Sequence, residues 1–311
     1  MVHNEIQIEK INKLRKEKNA VILAHYYQTP EIQDIADFVG DSLQLSEMAA
    51  KTKADIIVFA GVYFMAETAK ILSPEKKVLI PDKDAGCSLA DSITARAFKK
   101  FLQQYPQHTI ITYVNASAEI KAMSDLICTS SNAVKIVNSV PKEQPIVFAP
   151  DRNLGNYINS LTGRQMILWD GACHVHEEFS LERIVELKKQ YPAAKVIAHP
   201  ECQKPVLMIS DFIGSTAALL SYVQKDDASV YMVATESGIL YQMKKSCPEK
   251  IFIPAPPVDS TCGCNDCNFM KLNTLEKIYI ALKNEKPEIT LSKKIIERAK
   301  IPIMRMLSLS E

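Results

Sequence analysis

The heptapeptide ADFVGDS at residues 36–42 returns as SDLICTS at 124–130 and as SDFIGST at 210–216. The aspartates of the three copies are separated by 88 and 86 residues, and an apolar run ends about twelve residues before each of them. Two matches at one spacing would be weak, but three copies with a shared offset predict an internal triplication of the chain.

Each repeat shows the same alternation of β-rich and helical segments. In the first repeat the predicted strands lie at about 20–25, 37–40, 55–60 and 77–81, and the predicted helices near 31–36, 42–52, 63–72 and 91–104. Such alternation is typical of parallel strands joined by crossover helices. The sequence therefore predicts an α/β protein of three repeated α/β/α sandwich units, with parallel sheets around a pseudo-threefold axis.

The repeat period also predicts the domain organisation. We expect a first unit with an N-terminal helix at 1–104, a second unit at 105–190, a third unit at 191–270, and a C-terminal helical extension packed on them at 271–311. Units of about 86 residues are smaller than most independent domains, so each should pack on its neighbours.

The composition restricts the class of function. Of the 311 residues, 47% are hydrophobic and 23% are charged, as in an ordinary globular protein. The 37 Lys and Arg residues balance 36 Asp and Glu residues to a net charge of +1, which disfavours binding to nucleic acid or to an anionic membrane. Apolar runs are too short to span a membrane, and the charged first residues are unlike a secretory signal. We therefore expect a cytoplasmic protein with a small-molecule ligand.

Polar residues follow the predicted strands at equivalent positions of the repeat. The strand ends carry His25, Tyr113 and His199, the positions two residues later carry Tyr27, Asn115 and Glu201, and the predicted helix starts carry Ser42, Ser130 and Thr216. Because parallel strands present their carboxyl ends at one edge, three units around an axis would bring these groups to one central site. A single hydroxyl at a helix start is explained by N-capping, whereas converging helix starts would bind an anionic substrate.

The eight cysteines are expected to include metal ligands rather than disulfides, because the cytosol keeps thiols reduced. Cys87 and Cys173 lie 86 residues apart, each after the last strand of its unit, and the third unit has Cys262, Cys264 and Cys267 there. One thiolate from each unit would suit zinc with a fourth ligand, or a [4Fe–4S] cluster with one open iron. The competing interpretation is a local zinc knuckle formed by the last three cysteines. Three others are interpreted as small buried hydrophobes: Cys128, Cys202 and Cys247.

Nine motifs distributed along the chain are together highly specific. They are AHYYQ at 24–28, GDSLQL at 40–45, AGCSLAD at 85–91, YVNASAE at 113–119, CTSSNA at 128–133, APDRNLG at 149–155, HPEC at 199–202, GST at 214–216 and CNFMKLNTLE at 267–276. Through these motifs the chain resembles the quinolinate synthase family, iron–sulfur enzymes of NAD biosynthesis, over nearly its whole length. The resemblance implies the same fold as the repeat does.

The resemblance also implies an activity and a cofactor. The reaction would condense iminoaspartate with dihydroxyacetone phosphate to give quinolinate, inorganic phosphate and two waters, with a functional link to an aspartate-oxidising enzyme. Cys87, Cys173 and Cys267 would hold a [4Fe–4S] cluster whose open iron acts as a Lewis acid. Both substrates are anionic, in agreement with the ligand class expected from the helix starts.

Individual roles follow from the same resemblance. His25, Ser42 and Ser130 would contact phosphate or carboxylate groups. The remaining substrate contacts would be Tyr27, Tyr113, Asn115, His176, His199, Glu201, Ser215 and Thr216. Among them, Glu201 is the best candidate for a general base. Three further residues are catalytic candidates: Tyr27, Tyr113 and His199.

The third cysteine region departs from the family pattern C-x2-C-x2-C, because Thr261 occupies its first position. Cys267 keeps its context before Asn268 and is therefore taken as the ligand, while a role for Cys262 or Cys264 stays open. Two rival interpretations remain. One is another [4Fe–4S] dehydratase with the same open iron, and the other is a zinc-binding metabolite sensor without turnover.

Overall fold

Three parallel β-sheets form the frame of the protein. The computed structural model describes residues 2–259 and 265–310, and each sheet formed by them has four strands. In every sheet the strands are ordered second, first, third and fourth of their unit, and all neighbours are parallel. This common topology confirms the predicted α/β fold of three repeated units.

The strands lie close to their predicted positions. The first sheet contains β1 Ala20–His25, β2 Phe38–Gly40, β3 Ile56–Ala60 and β4 Lys77–Leu79. The second contains β5 Thr109–Tyr113, β6 Leu126–Cys128, β7 Ile146–Ala149 and β8 Ile167–Leu168. The third contains β9 Lys195–Ala198, β10 Phe212–Ile213, β11 Val230–Ala234 and β12 Ile251–Pro254.

Helices flank and connect the strands. Up to the second sheet they are α1 Val2–Glu17, α2 Pro30–Ile35, α3 Ser42–Lys51, α4 Tyr63–Leu72, α5 Ser88–Asp91 and α6 Ala95–Leu102. Through the second unit they are α7 Ala118–Lys121, α8 Ala133–Asn138, α9 Arg152–Thr162, α10 His174–Glu177 and α11 Leu181–Gln190. The third unit has α12 Lys204–Met208, α13 Thr216–Lys225 and α14 Ile239–Ser246. A 3₁₀ turn at Met270–Leu272 precedes α15 Leu275–Asn284 and α16 Lys293–Ser310.

One predicted helix starts later than expected. A helix was expected near 91–104, but α6 begins only at Ala95, after a break that separates it from the short helix α5. Thr94 adopts an extended backbone between them, and its hydroxyl accepts a hydrogen bond from the N–H of Ala97 at 3.3 Å. This N-cap starts a new helix and explains the break.

The recurring aspartates have a structural role. Each stands just before the second strand of its unit, where its N–H and its carboxylate both bond to the first strand. The carboxylate oxygens accept from the backbone N–H of Ile22, Ile110 and Val196 at 2.8, 2.8 and 2.7 Å. Asp37, Asp125 and Asp211 therefore anchor the edge strand of each sheet, which accounts for their shared offset.

The first sheet is covered on both faces, as a three-layer sandwich requires. On one face Leu23 packs in a cluster with Leu45 of α3. On the other face Ile22 packs in a cluster with Ile11 of α1 and Ile278 of α15. The core of the first unit is thus completed by a helix from the far end of the chain.

The segment after Leu272 is helical, as expected. Helix α15 packs on α1 and β3, whereas α16 packs on β6, α4, α7 and α8. The domain bounds at 104, 190 and 270 stay predictions. Within the described ranges, no helix combines the length and apolar character needed to cross a membrane.

Candidate active site

The carboxyl ends of the three sheets line one cavity. The predicted site residues in its wall are His25, Tyr27, Ser42, Cys87, Tyr113, Asn115, Ser130, Cys173, His176, His199, Glu201, Thr216 and Cys267. They come from all three units, because the same strand order places equivalent loops at the same edge of each sheet. The repeat and the motifs therefore indicated which segments of the chain meet.

Glu201 is the most connected side chain of the cavity and is 2% exposed. Its Oε1 accepts a 2.5 Å hydrogen bond from the hydroxyl of Tyr113, and its Oε2 lies 2.9 Å from Nδ1 of His176. Burial opposes ionisation, but the adjacent imidazoles of His176 and His199 and the hydrogen bond from Tyr113 outweigh it. The pKa of Glu201 therefore lies below its ordinary value. The result is an ionised carboxylate held on both oxygens.

His25 and His199 occupy equivalent positions and make the same local hydrogen bond. Nδ1 of His25 accepts from the N–H of Tyr27 at 3.2 Å, and Nδ1 of His199 accepts from the N–H of Glu201 at 3.4 Å. Each imidazole therefore carries its proton on Nε2, and that of His199 lies 3.1 Å from Oγ of Ser130. Burial lowers the pKa of both histidines to about 3, so both are neutral hydrogen-bond donors.

Tyr27 begins a chain of polar contacts that ends at Glu201. Its hydroxyl lies 3.1 Å from Oγ1 of Thr216 and 2.7 Å from Oγ1 of Thr235. Oγ1 of Thr235 lies 3.0 Å from Nε2 of His176, whose other nitrogen faces Glu201. Burial and the charge of Glu201 raise the pKa of Tyr27, so its hydroxyl stays protonated. Side chains from all three units take part in this chain.

Only two of the three predicted helix starts are present. Ser42 and Thr216 are the first residues of α3 and α13, but Ser130 lies before α8. There the side-chain oxygen of Asn132 accepts from the N–H of Thr129 at 2.7 Å and closes a turn, so the helix begins only at 133. The prediction of a helix start at Ser130 is wrong, although its hydroxyl still lines the cavity.

The N-terminus of α3 is already satisfied by its own cap. Oδ1 of Asp41 accepts from the N–H groups of Leu43 and Gln44 at 3.1 Å, and its Oδ2 accepts from Ser131 at 2.7 Å. This carboxylate opposes a second anion at the same N–H groups. Anion contacts in this part of the cavity are therefore left to hydroxyl and imidazole donors.

Ser215 is the predicted site residue that does not line this cavity. Its hydroxyl accepts from the N–H of Ala218 at 3.3 Å and is the N-cap of α13. Its neighbour Thr216 is the one that faces the cavity. In this structure the capping interpretation of a helix-start hydroxyl therefore describes Ser215 best.

Cys87, Cys173 and Cys267 bring one thiol from each unit to the cavity wall. Burial raises the pKa of Cys87 to about 12 and also raises those of Cys173 and Cys267. Buried thiolates need a cation to compensate their charge, and a metal centre supplies it. Three converging thiols therefore fit a soft metal or an iron–sulfur cluster.

A second group that could hold a metal shares one of these thiols. Ligand atoms of Cys173, His176 and Glu201 all lie within 4.8 Å of one another.

The segments after Cys87 and Cys173 are also joined, because Oγ of Ser88 lies 2.7 Å from Nδ1 of His174. These two residues are one repeat period apart, so the bond ties equivalent loops together.

Glu236 was not among the predicted site residues, although it lines the cavity and is fully buried. Its carboxylate pairs with Lys271 at 2.8 Å and accepts from the N–H of Cys267 at 3.1 Å, and it thereby holds the third thiol-bearing segment. The repeat offered a signal, because the third strand of each unit is followed two residues later by Val62, Asp151 or Glu236. The apolar part of the wall was also missed: Val62, Phe64, Met65, Val175 and Met270.

The remaining cysteines divide into two groups. Cys128, Cys202 and Cys247 are buried away from the cavity, as predicted for small hydrophobes. Cys262 and Cys264 lie outside the described residues, so the zinc-knuckle interpretation of the last three cysteines is untested.

Comparison with known proteins agrees with the motifs. A family model described as quinolinate synthetase A protein matches residues 9–308. The chain is 61% identical over 303 residues to the quinolinate synthase of Thermosynechococcus vestitus, covering 97% of this chain and 95% of the relative. It is 62% identical over 300 residues to that of Trichormus variabilis, covering 96% and 92%, respectively. For Chloroherpeton thalassium the identity is 57% over 303 residues, covering 97% and 94%. The chain therefore belongs to the quinolinate synthase family of enzymes.

Proposed function

We propose that the protein condenses iminoaspartate with dihydroxyacetone phosphate to form quinolinate, inorganic phosphate and two molecules of water, as a step of NAD biosynthesis. The observation that carries this proposal is the convergence of three thiols, one from each unit, on a cavity lined by neutral donors and an ionised carboxylate. The name of the relatives, quinolinate synthase, supports the same product.

The proposed cofactor is a [4Fe–4S] cluster held by Cys87, Cys173 and Cys267. When bound, such a cluster supplies an open iron that acts as a Lewis acid on a hydroxyl or carbonyl oxygen. Two hydrogen bonds fix the segments that carry these cysteines. Glu236 accepts from the N–H of Cys267 at 3.1 Å, and the Ser88–His174 hydrogen bond joins the loops after the other two cysteines.

Most of the proposed substrate contacts are uncharged groups that can donate hydrogen bonds to phosphate and carboxylate groups. Both substrates carry negative charge, and a buried anion needs hydrogen bonds from several sides. The Nε2–H groups of His25 and His199 and the hydroxyls of Ser42 and Ser130 line the cavity without adding positive charge. The other proposed contacts are Tyr27, Tyr113, Asn115, His176, Glu201, Ser215 and Thr216, of which Ser215 would act only by capping α13.

Glu201 is the proposed general base. It is ionised, and the 2.5 Å bond from Tyr113 and the 2.9 Å contact with His176 orient both oxygens. It would accept a proton from a substrate carbon when the carbon–carbon bond or a double bond forms. Tyr27 keeps its proton and would donate a hydrogen bond to a departing oxygen. His199 and Tyr113 orient the substrate and the base, respectively.

The apolar wall supports a reaction that expels water. Phe64, Met65 and Met270 cover one part of the cavity with side chains that offer no hydrogen-bond donor and only weak sulfur acceptors. A dry wall also strengthens the interactions of the charged groups inside. Both losses of water from the substrates would take place in this enclosed space.

One observation favours a second candidate function. The ligand atoms of Cys173, His176 and Glu201 lie within 4.8 Å of one another, a grouping that zinc accepts. A zinc ion there would make the protein a metabolite-binding sensor without turnover. It would also occupy Glu201 as a ligand and leave it unable to act as a base.

Anaerobic purification followed by metal and sulfide analysis tests the proposal. We expect about four irons and four acid-labile sulfides per chain, consistent with one [4Fe–4S] cluster. The same protein should form quinolinate when dihydroxyacetone phosphate is supplied together with iminoaspartate generated by an aspartate-oxidising enzyme. One zinc per chain without sulfide, and no quinolinate, would support the sensor instead.

A further inference from the structure

Thr235 joins two functional side chains from behind the cavity wall. It follows β11 directly and is 1% exposed. Its hydroxyl oxygen lies 2.7 Å from that of Tyr27, a residue of the first unit, and 3.0 Å from Nε2 of His176, a residue of the second. Both partners line the cavity, so a hydroxyl from the third unit is bonded only to side chains of the site.

The two bonds hold both side chains whichever atom donates. The hydroxyls of Thr235 and Tyr27 can each donate to the other, and Nε2 of His176 can donate or accept. Without the hydroxyl of Thr235, the described contacts leave the ring of His176 with its 2.9 Å contact with Glu201 and the hydroxyl of Tyr27 with its 3.1 Å contact with Thr216.

We propose that Thr235 is a positioning residue that holds the imidazole of His176 beside Glu201 and aligns the hydroxyl of Tyr27. This inference rests on the proposed function, because it gives Glu201 and Tyr27 their parts in the reaction. Without the hydroxyl of Thr235, the ring of His176 and the hydroxyl of Tyr27 each lose a hydrogen bond that fixes their orientation in the cavity wall.

Another buried threonine shows what a purely structural hydroxyl looks like. Thr68 is 2% exposed, and its hydroxyl donates to the carbonyl of Phe64 in its own helix at 2.8 Å. That bond satisfies a polar atom and reaches no other unit. Thr235, in contrast, bridges side chains that are 149 residues apart in sequence, Tyr27 and His176.

The kinetic test compares Thr235→Val, which keeps the shape and removes the hydroxyl, with Thr235→Ser, which keeps the hydroxyl. We expect Thr235→Val to lower kcat about 10- to 100-fold, the range seen when the partner that orients a functional histidine is removed. KM for dihydroxyacetone phosphate should change less than about twofold, and iron and sulfide content should be that of the wild type. Thr235→Ser should restore kcat to within about threefold, and Thr68→Val should leave it unchanged.

A second measurement does not depend on activity. Nitrogen-15 NMR of histidine side chains in the full chain, with His176 assigned by its loss in His176→Gln, is sensitive to the hydrogen bond at each ring nitrogen. In Thr235→Val we expect the Nε2 resonance of His176 to move from its wild-type position. In Thr235→Ser and Thr68→Val it should stay there.

The outcomes separate the two proposals. If wild-type protein forms no quinolinate, the proposed function fails, and the NMR comparison alone decides the role of Thr235. An unchanged Nε2 resonance of His176 in Thr235→Val overturns the inference. Equal losses of kcat in Thr235→Val and Thr235→Ser would also overturn it, because packing rather than the hydroxyl would then be responsible.

Discussion

Two positions of each sheet differ in how strictly they repeat. At the amino end of each edge strand, Asp37, Asp125 and Asp211 are identical and make the same backbone bonds in all three units. At the carboxyl end of each first strand, the equivalent residues are His25, Tyr113 and His199. The two histidines accept the same local backbone hydrogen bond, but the contacts with other side chains differ. A position that needs only to hold the backbone can repeat unchanged. Where three units meet around one cavity, equivalent positions can carry different groups.

The largest effect should come from removing one of the three thiols at the carboxyl ends of the sheets. Cys173→Ala is expected to abolish both the cluster and quinolinate formation. The proposed four-iron cluster has three cysteine ligands, and the two that remain should not hold it. Iron and sulfide analysis after anaerobic purification measures this. Cys247→Ala, a buried cysteine outside the cavity, is the matched control and should keep its full cluster. Full iron content in Cys173→Ala would contradict the assignment.

The next effect concerns proton transfer rather than metal. Glu201→Gln keeps size and hydrogen bonding but removes the basic carboxylate, so quinolinate formation should fall about 10²–10⁴-fold with normal iron and sulfide. Glu67→Gln is the control, since Glu67 is a buried carboxylate outside the cavity that accepts from the N–H of Ala118 at 2.9 Å. A near wild-type rate for Glu201→Gln would move the search for the base to Tyr27 or His199.

Smaller effects are expected at the hydroxyls that the repeat places near the substrate. Ser42→Ala and Ser130→Ala should each raise KM for dihydroxyacetone phosphate about tenfold or more, since a hydrogen bond to a charged group contributes about 1.5–3 kcal/mol. Cluster absorbance should not change. Ser46→Ala is the control, because its hydroxyl donates to the carbonyl of Ser42 within α3 at 2.7 Å. Unchanged KM in both variants would reduce these serines to structural roles.

The smallest effect should come from replacing the three identical aspartates that precede the edge strands. Asp125→Ala and Asp211→Ala should each lower the free energy of unfolding by about 1 kcal/mol and leave kcat unchanged. Asp37→Ala should cost somewhat more, because this carboxylate also pairs with Arg15 at 2.9 Å, a closer contact than that of Asp211 with Lys188 at 3.5 Å. Urea unfolding and steady-state kinetics check both statements. A loss of kcat in any of these three variants would show that the anchoring aspartates also affect the cavity.

The fold was predictable from the sequence because the same local pattern occurs in all three repeats. Apolar runs, their spacing and the anchoring aspartate all reappear, so each unit supports the interpretation of the other two. The break between α5 and α6 was missed because it depends on the N-cap of Thr94 rather than on apolar periodicity. A single hydroxyl does not change the pattern of hydrophobic residues around it.

Prediction of the cavity succeeded where a residue directly follows a strand and failed where side chains compete for the backbone. Ser130 was placed at a helix start, but Asn132 closes a turn there and delays the helix. Glu236 and Thr235 were missed because their importance lies in partners that are far away in sequence, namely Lys271 and His176. Such pairings appear only once the three units are packed together.

The cover of the first sheet has a consequence for synthesis on the ribosome. Its outer apolar face is completed by Leu275, Ile278 and Leu282 of α15, about 200 residues after the last strand of that sheet. At roughly 5–20 residues per second, translation would leave this face without its cover for ~10–40 s. The packing of the first unit is therefore completed only after α15 has been synthesised. Until then the part of this apolar face that α15 covers would be exposed on the nascent chain, where a chaperone could bind it.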